Sequence, residues 1–225
     1  VSEMPVGPTP EMRNLRQALQ LRKLFEFVCD RIGIQLEVVI TDGRQPVGRG
    51  VGPLLEVRDV MQVLKNDPDA PVDLRQKSLR LAGRVLEFDP DVRGGHGYSI
   101  ARDILDSGRA LTKMQAIINA QGARKDPVPP APLVHEINCN QDGVILGIDN
   151  LQINRIARLA GAPMDKGAGI DLLKKLGDTV TVGEHLYAIH AEFRADYNFA
   201  LNLARKDSGY SIGFAEELPA TYVEL

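Results

Sequence analysis

The chain has 225 residues, enough for one large or two modest domains, with 44% hydrophobic and 25% charged residues. Net charge is −3, and no Lys/Arg run or basic-aromatic stripe occurs, which argues against a nucleic-acid partner. No apolar run approaches the roughly 18 residues needed to cross a bilayer. Of the two cysteines, Cys29 and Cys139, neither has a partner at metal-ligand spacing; two free thiols predict a reducing compartment, the cytoplasm.

Val1 to Pro10 is rich in proline and reads as a loop entered from an earlier element. The first residue is Val rather than Met, and the expectation is that the sequence is the C-terminal part of a longer polypeptide. A helix is predicted from about Asn14 to Ile32, where Ala18, Leu21, Phe25, Val28 and Ile32 alternate spacings of three and four and form one apolar stripe; Gly33 ends it. Gln35 to Thr41 reads as a buried strand. Three glycines and two prolines follow within residues 45–59, running into a helix from about Leu54 to Leu64. Such a loop gives up side-chain bulk so that its backbone can come close to something. The order helix, strand, loop, helix argues for an α/β unit with a mostly parallel sheet, in which ligands collect at the carboxyl ends of the strands. Three further helices are predicted near Asp73–Glu87, Tyr98–Ser107 and Ala110–Ala120, the first with Leu81, Ala82, Val85 and Leu86 as its core face.

Four prolines between Gly122 and Leu133 mark a stiff extended linker. Beyond it, short strands at His135–Cys139, Val144–Ile148, Thr179–Val182 and Leu186–His190, with helices near Gln152–Leu159 and Arg194–Lys206, predict a smaller α+β domain with a curled, barrel-like sheet. The expected division is therefore residues 1–121, a linker at 122–133, and a C-terminal domain at 134–225.

The chemistry-bearing candidates are few. Carbonyls of the 45–59 loop plus the Asp59 carboxylate could cage a hard cation, although a tight turn followed by a helix with an acid near its N-terminus explains the same residues. Gly94-Gly95-His96-Gly97 lies between helices, which favours a flexible connection over a phosphate cradle. His185 and His190 fall on opposite faces of one strand, His135 has no evident acid partner, and no nucleophile triad or H-E-x-x-H arrangement occurs. The turn-strand cadence of residues 176–190 is compatible with a biotinyl or lipoyl carrier, but Lys166 is the only faint candidate for modification and sits in a loop.

In its wording the 45–59 segment resembles the Q-P-x-G-x-x-x-G-x-x-L-E-x-x-[ED] stretch of the pyrimidine nucleoside and thymidine phosphorylases. The likeness is greatest to the branch that includes archaeal AMP phosphorylases. It extends along nearly the whole chain: Met4 to Met12, Asn66-Asp67-Pro68, Asp73-Leu74-Arg75, Leu81-Ala82-Gly83, Ser107 to Leu111, Gln121-Gly122, Ile156-Ala157-Arg158 and Met164 to Ile170. The resemblance implies a pentosyltransferase that splits a pyrimidine nucleoside with phosphate as co-substrate, thymidine and phosphate giving thymine and 2-deoxyribose 1-phosphate. It implies potassium held by the backbone of Val47 and Gly50 and the carboxylate of Asp59, where the family has a longer Glu. It implies substrate contacts at Thr9 and Glu11, where the family has a lysine at the latter; an acid in place of that cation argues against a nucleotide substrate and for an uncharged nucleoside. Phosphate-binding and catalytic groups of the family fall before Val1, so no catalytic residue is placed in this chain, which alone is expected to be inactive. A homo-oligomer is implied. The alternatives are a nucleoside-monophosphate (AMP) phosphorylase and a non-catalytic oligomerisation or binding module.

Overall fold

The computed structural model describes residues 1–8, 12–92, 94–123 and 126–217. The chain divides into two compact units. The larger joins Ser2–Glu56 to Pro129–Leu225; the smaller is Val57–Val128 together with Val1.

In the larger unit, strand β1 (Ser2–Val6) lies parallel to β2 (Val38–Asp42), in register from Ser2↔Val38 to Val6↔Asp42. The segment expected to be a loop is thus partly a strand. Its Pro5 is compatible with that, because in this two-stranded sheet β1 pairs with β2 alone among the described strands, and proline is tolerated at an edge. Helix α1 (Leu15–Ile32) makes the crossover that a parallel pair requires. Its ends are those expected from sequence. The Asn14 side chain accepts from the Gln17 N–H, and Gly33 takes the left-handed conformation at φ 72° that closes the helix. The apolar stripe is only partly used: Ala18 is buried with Val6 and Ile40, whereas Phe25, Val28 and Ile32 are exposed. Five-residue strands are roughly 17 Å long, too short to cover an 18-residue helix of roughly 27 Å.

A short strand β3 (Gly50–Val51) follows and leads into α2 (Pro53–Leu64). The rest of the larger unit comprises β4 (Leu133–Asn138), β5 (Gly143–Ile148), α6 (Asn150–Leu159), β6 (Gly169–Leu172), β7 (Thr179–Val180), β8 (His185–Ala191), α7 (Arg194–Lys206) and β9 (Tyr210–Gly213). They form an antiparallel sheet in the order β3-β6-β8-β4 and a second antiparallel sheet in the order β7-β5-β9. The α/β class holds, with two corrections. Among the described strands, parallel pairing is confined to β1 and β2. The expected curled, barrel-like sheet is absent, because both C-terminal sheets are open, with β3 and β4 at the edges of one and β7 and β9 at the edges of the other. The core is aliphatic: Ile145, Ile153, Ile156, Ile170, Leu172 and Ile189 are fully buried. Central strand β8 buries Leu186, Tyr187, Ala188 and Ile189 consecutively, as a strand covered on both faces does. β6 and β9 were not foreseen; each has four residues and little alternation to announce it.

The smaller unit is helical. After α2 come α3 (Val72–Leu86), α4 (His96–Asp106) and α5 (Arg109–Ala120). The buried face of α3 centres on Leu79 and Gly83; of the expected core residues Leu86 packs against that cluster, whereas Leu81 is only half-buried and Ala82 and Val85 are exposed. The cause is a backbone-to-backbone crossing. A methyl on Gly83 would lie 2.7 Å from the Tyr98 nitrogen, and one on Gly97 would lie 2.1 Å from the Gly83 carbonyl oxygen. Gly97 is therefore a packing residue inside α4, not part of a flexible connection.

Candidate functional site

The larger unit brings the glycine-rich loop against the C-terminal elements. Four sets of contacts fix it. Lys175 donates from Nζ to the carbonyls of Pro46 at 2.6 Å and Gly48 at 2.7 Å. The Leu176 N–H donates to the Gln45 side-chain oxygen at 2.9 Å, and the Leu172 N–H donates to the Arg49 carbonyl at 2.9 Å. β3 pairs with β6, Gly50 opposite Asp171 and Val51 opposite Ile170. Finally, the Leu54 N–H donates to the Lys166 carbonyl at 3.1 Å.

The glycines are explained by this approach. Gly48 has φ 75°, a left-handed turn that an L side chain rarely adopts. A methyl on Gly52 would lie 2.4 Å from the Ala168 carbonyl oxygen, and one on Gly50 would lie 2.4 Å from the Leu55 carbonyl carbon. Pro53 opens α2, where a missing N–H costs nothing, and Glu56 reaches back to accept from the Gly52 N–H at 3.0 Å. The loop's close backbone approach, inferred from composition, is thus made to the protein's own β6 and its neighbours.

The carboxyl ends of β1 and β2 lie side by side. Gly7 approaches Gly43 so closely that a methyl on it would lie 2.8 Å from the Gly43 carbonyl carbon. Arg44 forks onto Asp42 through Nε and a terminal nitrogen, the latter at 2.7 Å. The buried Thr41 hydroxyl donates to Glu3 at 2.6 Å. Asn150, the first residue of α6, donates to the Gly43 carbonyl at 2.9 Å, which ties this end of the parallel pair to the C-terminal elements.

Of the candidate cation ligands, Val47 is exposed and Gly50 buried within the larger unit. Asp59 belongs to the smaller unit, where it is buried and ion-paired with Arg58 at 2.8 Å. Among the described residues no cluster of three or more His, Cys, Asp or Glu side chains could hold a metal. Thr9 and Glu11 lie outside the described residues. The histidines do not gather: His135 meets the Tyr197 hydroxyl at 3.1 Å, and exposed His185 lies between Asn138 and Glu136. Lys166 is exposed and donates to the Pro163 carbonyl in its loop. Cys29 and Cys139 are free thiols, the latter buried in the core.

The residue that sequence reasoning missed is Lys175. A lysine before a Gly-Asp turn is unremarkable, and nothing local links it to carbonyls 127 and 129 residues away.

Residues 144–211 match the pyrimidine nucleoside phosphorylase C-terminal domain. Over 223 residues the chain is 63% identical to a protein of Methylococcus capsulatus named "Putative thymidine phosphorylase", covering 99% of this chain and 43% of that protein. A protein of the same name from Albidiferax ferrireducens is 58% identical over 228 residues, covering 100% of this chain and 44% of the relative. One from Rhodopseudomonas palustris is 56% identical over 210 residues, covering 93% and 41%. The chain thus spans less than half the length of these relatives.

Proposed function

From the premise that this chain belongs with the thymidine and pyrimidine nucleoside phosphorylases, we propose that it forms the C-terminal portion of an enzyme that cleaves a pyrimidine nucleoside with phosphate. Thymidine and phosphate would give thymine and 2-deoxyribose 1-phosphate. The observation that carries this reading is the 63% identity sustained over 99% of the chain, in which the glycine-rich loop, the parallel β1–β2 pair and the C-terminal sheets form one unit.

The role of this portion is positioning. Phosphorolysis depends on holding phosphate and nucleoside in line and on stabilising the departing base. The carboxyl ends of β1 and β2 are the usual place for a ligand in a parallel sheet. Here they are braced by the Arg44–Asp42 fork and by Asn150. No catalytic group is assigned to this chain. Thr9 and Glu11 are proposed to contact the substrate. A carboxylate at residue 11 repels a phosphate group, so an uncharged nucleoside is favoured over a nucleoside monophosphate.

The test is phosphate-dependent base release by a polypeptide of the relatives' length carrying this chain, offered thymidine, uridine, AMP and CMP in parallel. The proposal requires thymidine or uridine to be used ahead of AMP and CMP. The variant Glu11→Lys should narrow that preference by about tenfold, the size of one screened charge contact. An unchanged preference would remove Glu11 from the account.

A further inference from the structure

The glycine-rich loop carries a cluster of backbone oxygens, and such oxygens suit a hard monovalent cation. In this structure two of these oxygens, those of Pro46 and Gly48, already carry a cation, and it is covalently part of the chain. The Lys175 ammonium sits on the Pro46 and Gly48 carbonyls at 2.6 and 2.7 Å, distances of charge-assisted hydrogen bonds. An ammonium and a potassium ion are close in size and equal in charge, and both are satisfied by carbonyl oxygen.

The geometry around Lys175 is built to deliver that charge. Its own N–H donates to the Asp178 carboxylate at 2.7 Å, and the next N–H, of Leu176, goes to the Gln45 side chain. The Gly177 N–H donates to the Ile145 carbonyl at 2.9 Å, fixing the turn to β5. The neighbouring Lys174 is drawn away to Glu184 and its carbonyl accepts from the Tyr210 hydroxyl at 2.8 Å. Consecutive lysines are thus sent to separate partners by a turn that is tied down at several points.

We propose that Lys175 is the resident cation of the glycine-rich loop: its ammonium orders residues 45–52 on the C-terminal elements, and the order of the loop does not depend on a bound alkali metal. The inference does not rest on the phosphorolysis reading. It concerns how the loop is held, whatever reaction the protein serves.

The test is amide hydrogen exchange of the 225-residue chain in potassium, sodium and choline chloride at matched ionic strength. Exchange of the loop amides should be the same in all three salts. In Lys175→Met the loop amides should exchange about tenfold faster, with those of α3 and α4 unchanged. Loop protection in the unmodified chain that rises specifically with potassium would overturn the proposal. So would wild-type loop exchange in Lys175→Met. If the variant fails to fold, the salt comparison on the unmodified chain still decides.

Discussion

Gly52 and Gly169 are the residues at which the fold leaves least room. They meet across the β3–β6 contact, where a methyl on Gly169 would lie 2.2 Å from the Val51 carbonyl oxygen, with φ 150°. Neither backbone can retreat without breaking the Gly50↔Asp171 pairing next to it. Gly169→Ala is expected to cost about 2–4 kcal/mol, strain and overlap adding, as read from denaturant midpoints. A loss below about 0.5 kcal/mol, the range of ordinary surface substitutions, would mean that the strands do not meet as described. Glu184, which is half-buried, accepts from Lys174 and from the Thr181 N–H, and these hold its carboxyl below the ordinary value of 4.5. A depressed carboxyl pKa contributes stability above its unfolded value, and the contribution is lost as pH falls through the folded pKa. The stability difference between the unmodified chain and Glu184→Gln should therefore shrink as pH is lowered from neutrality through 4.5 and below. A difference that does not change over that range would contradict the contact.

Among the elements, α6 and β8 anchor the C-terminal core. Ile156 on α6 is fully buried among Ile153, Ile170 and Ile189, so Ile156→Ala removes packed methylenes and leaves a cavity. The expected cost is about 2–5 kcal/mol by thermal or chemical unfolding. A loss within about 0.5 kcal/mol would show that α6 is not packed as described. What the sequence disclosed about these elements follows a physical divide. The ends of α1 were legible because Asn14 and Gly33 act on their own helix, within a few residues. The face of α3 was legible only at Leu86, because its burial is otherwise decided by the Gly83–Gly97 crossing with α4, and periodicity carries no record of where another backbone comes close. Strand β3 was hidden inside glycines that suggested a ligand. Its pairing partner β6 lies more than a hundred residues on. The loop was rightly marked as a place of close approach, and the partner, Lys175, was supplied by tertiary structure alone.

At the scale of the whole molecule, the chain consists of a helical unit and a larger unit in which N-terminal and C-terminal segments share one set of contacts. It aligns with 43% of the Methylococcus capsulatus relative, and under the proposed function the phosphate cradle and catalytic groups would lie outside that aligned part. The 225-residue chain alone is accordingly expected to show no phosphorolysis of thymidine above the uncatalysed background. Phosphate-dependent release of base from thymidine, uridine, AMP and CMP by a polypeptide of the relatives' length carrying this chain tests the proposed reaction and its substrate class together. Release of thymine or uracil is expected to require phosphate and to exceed release of base from either nucleotide. No release from any of the four, or release independent of phosphate, would contradict membership of this chain in a working pyrimidine nucleoside phosphorylase. A preference for AMP or CMP would contradict the nucleoside assignment drawn from Glu11.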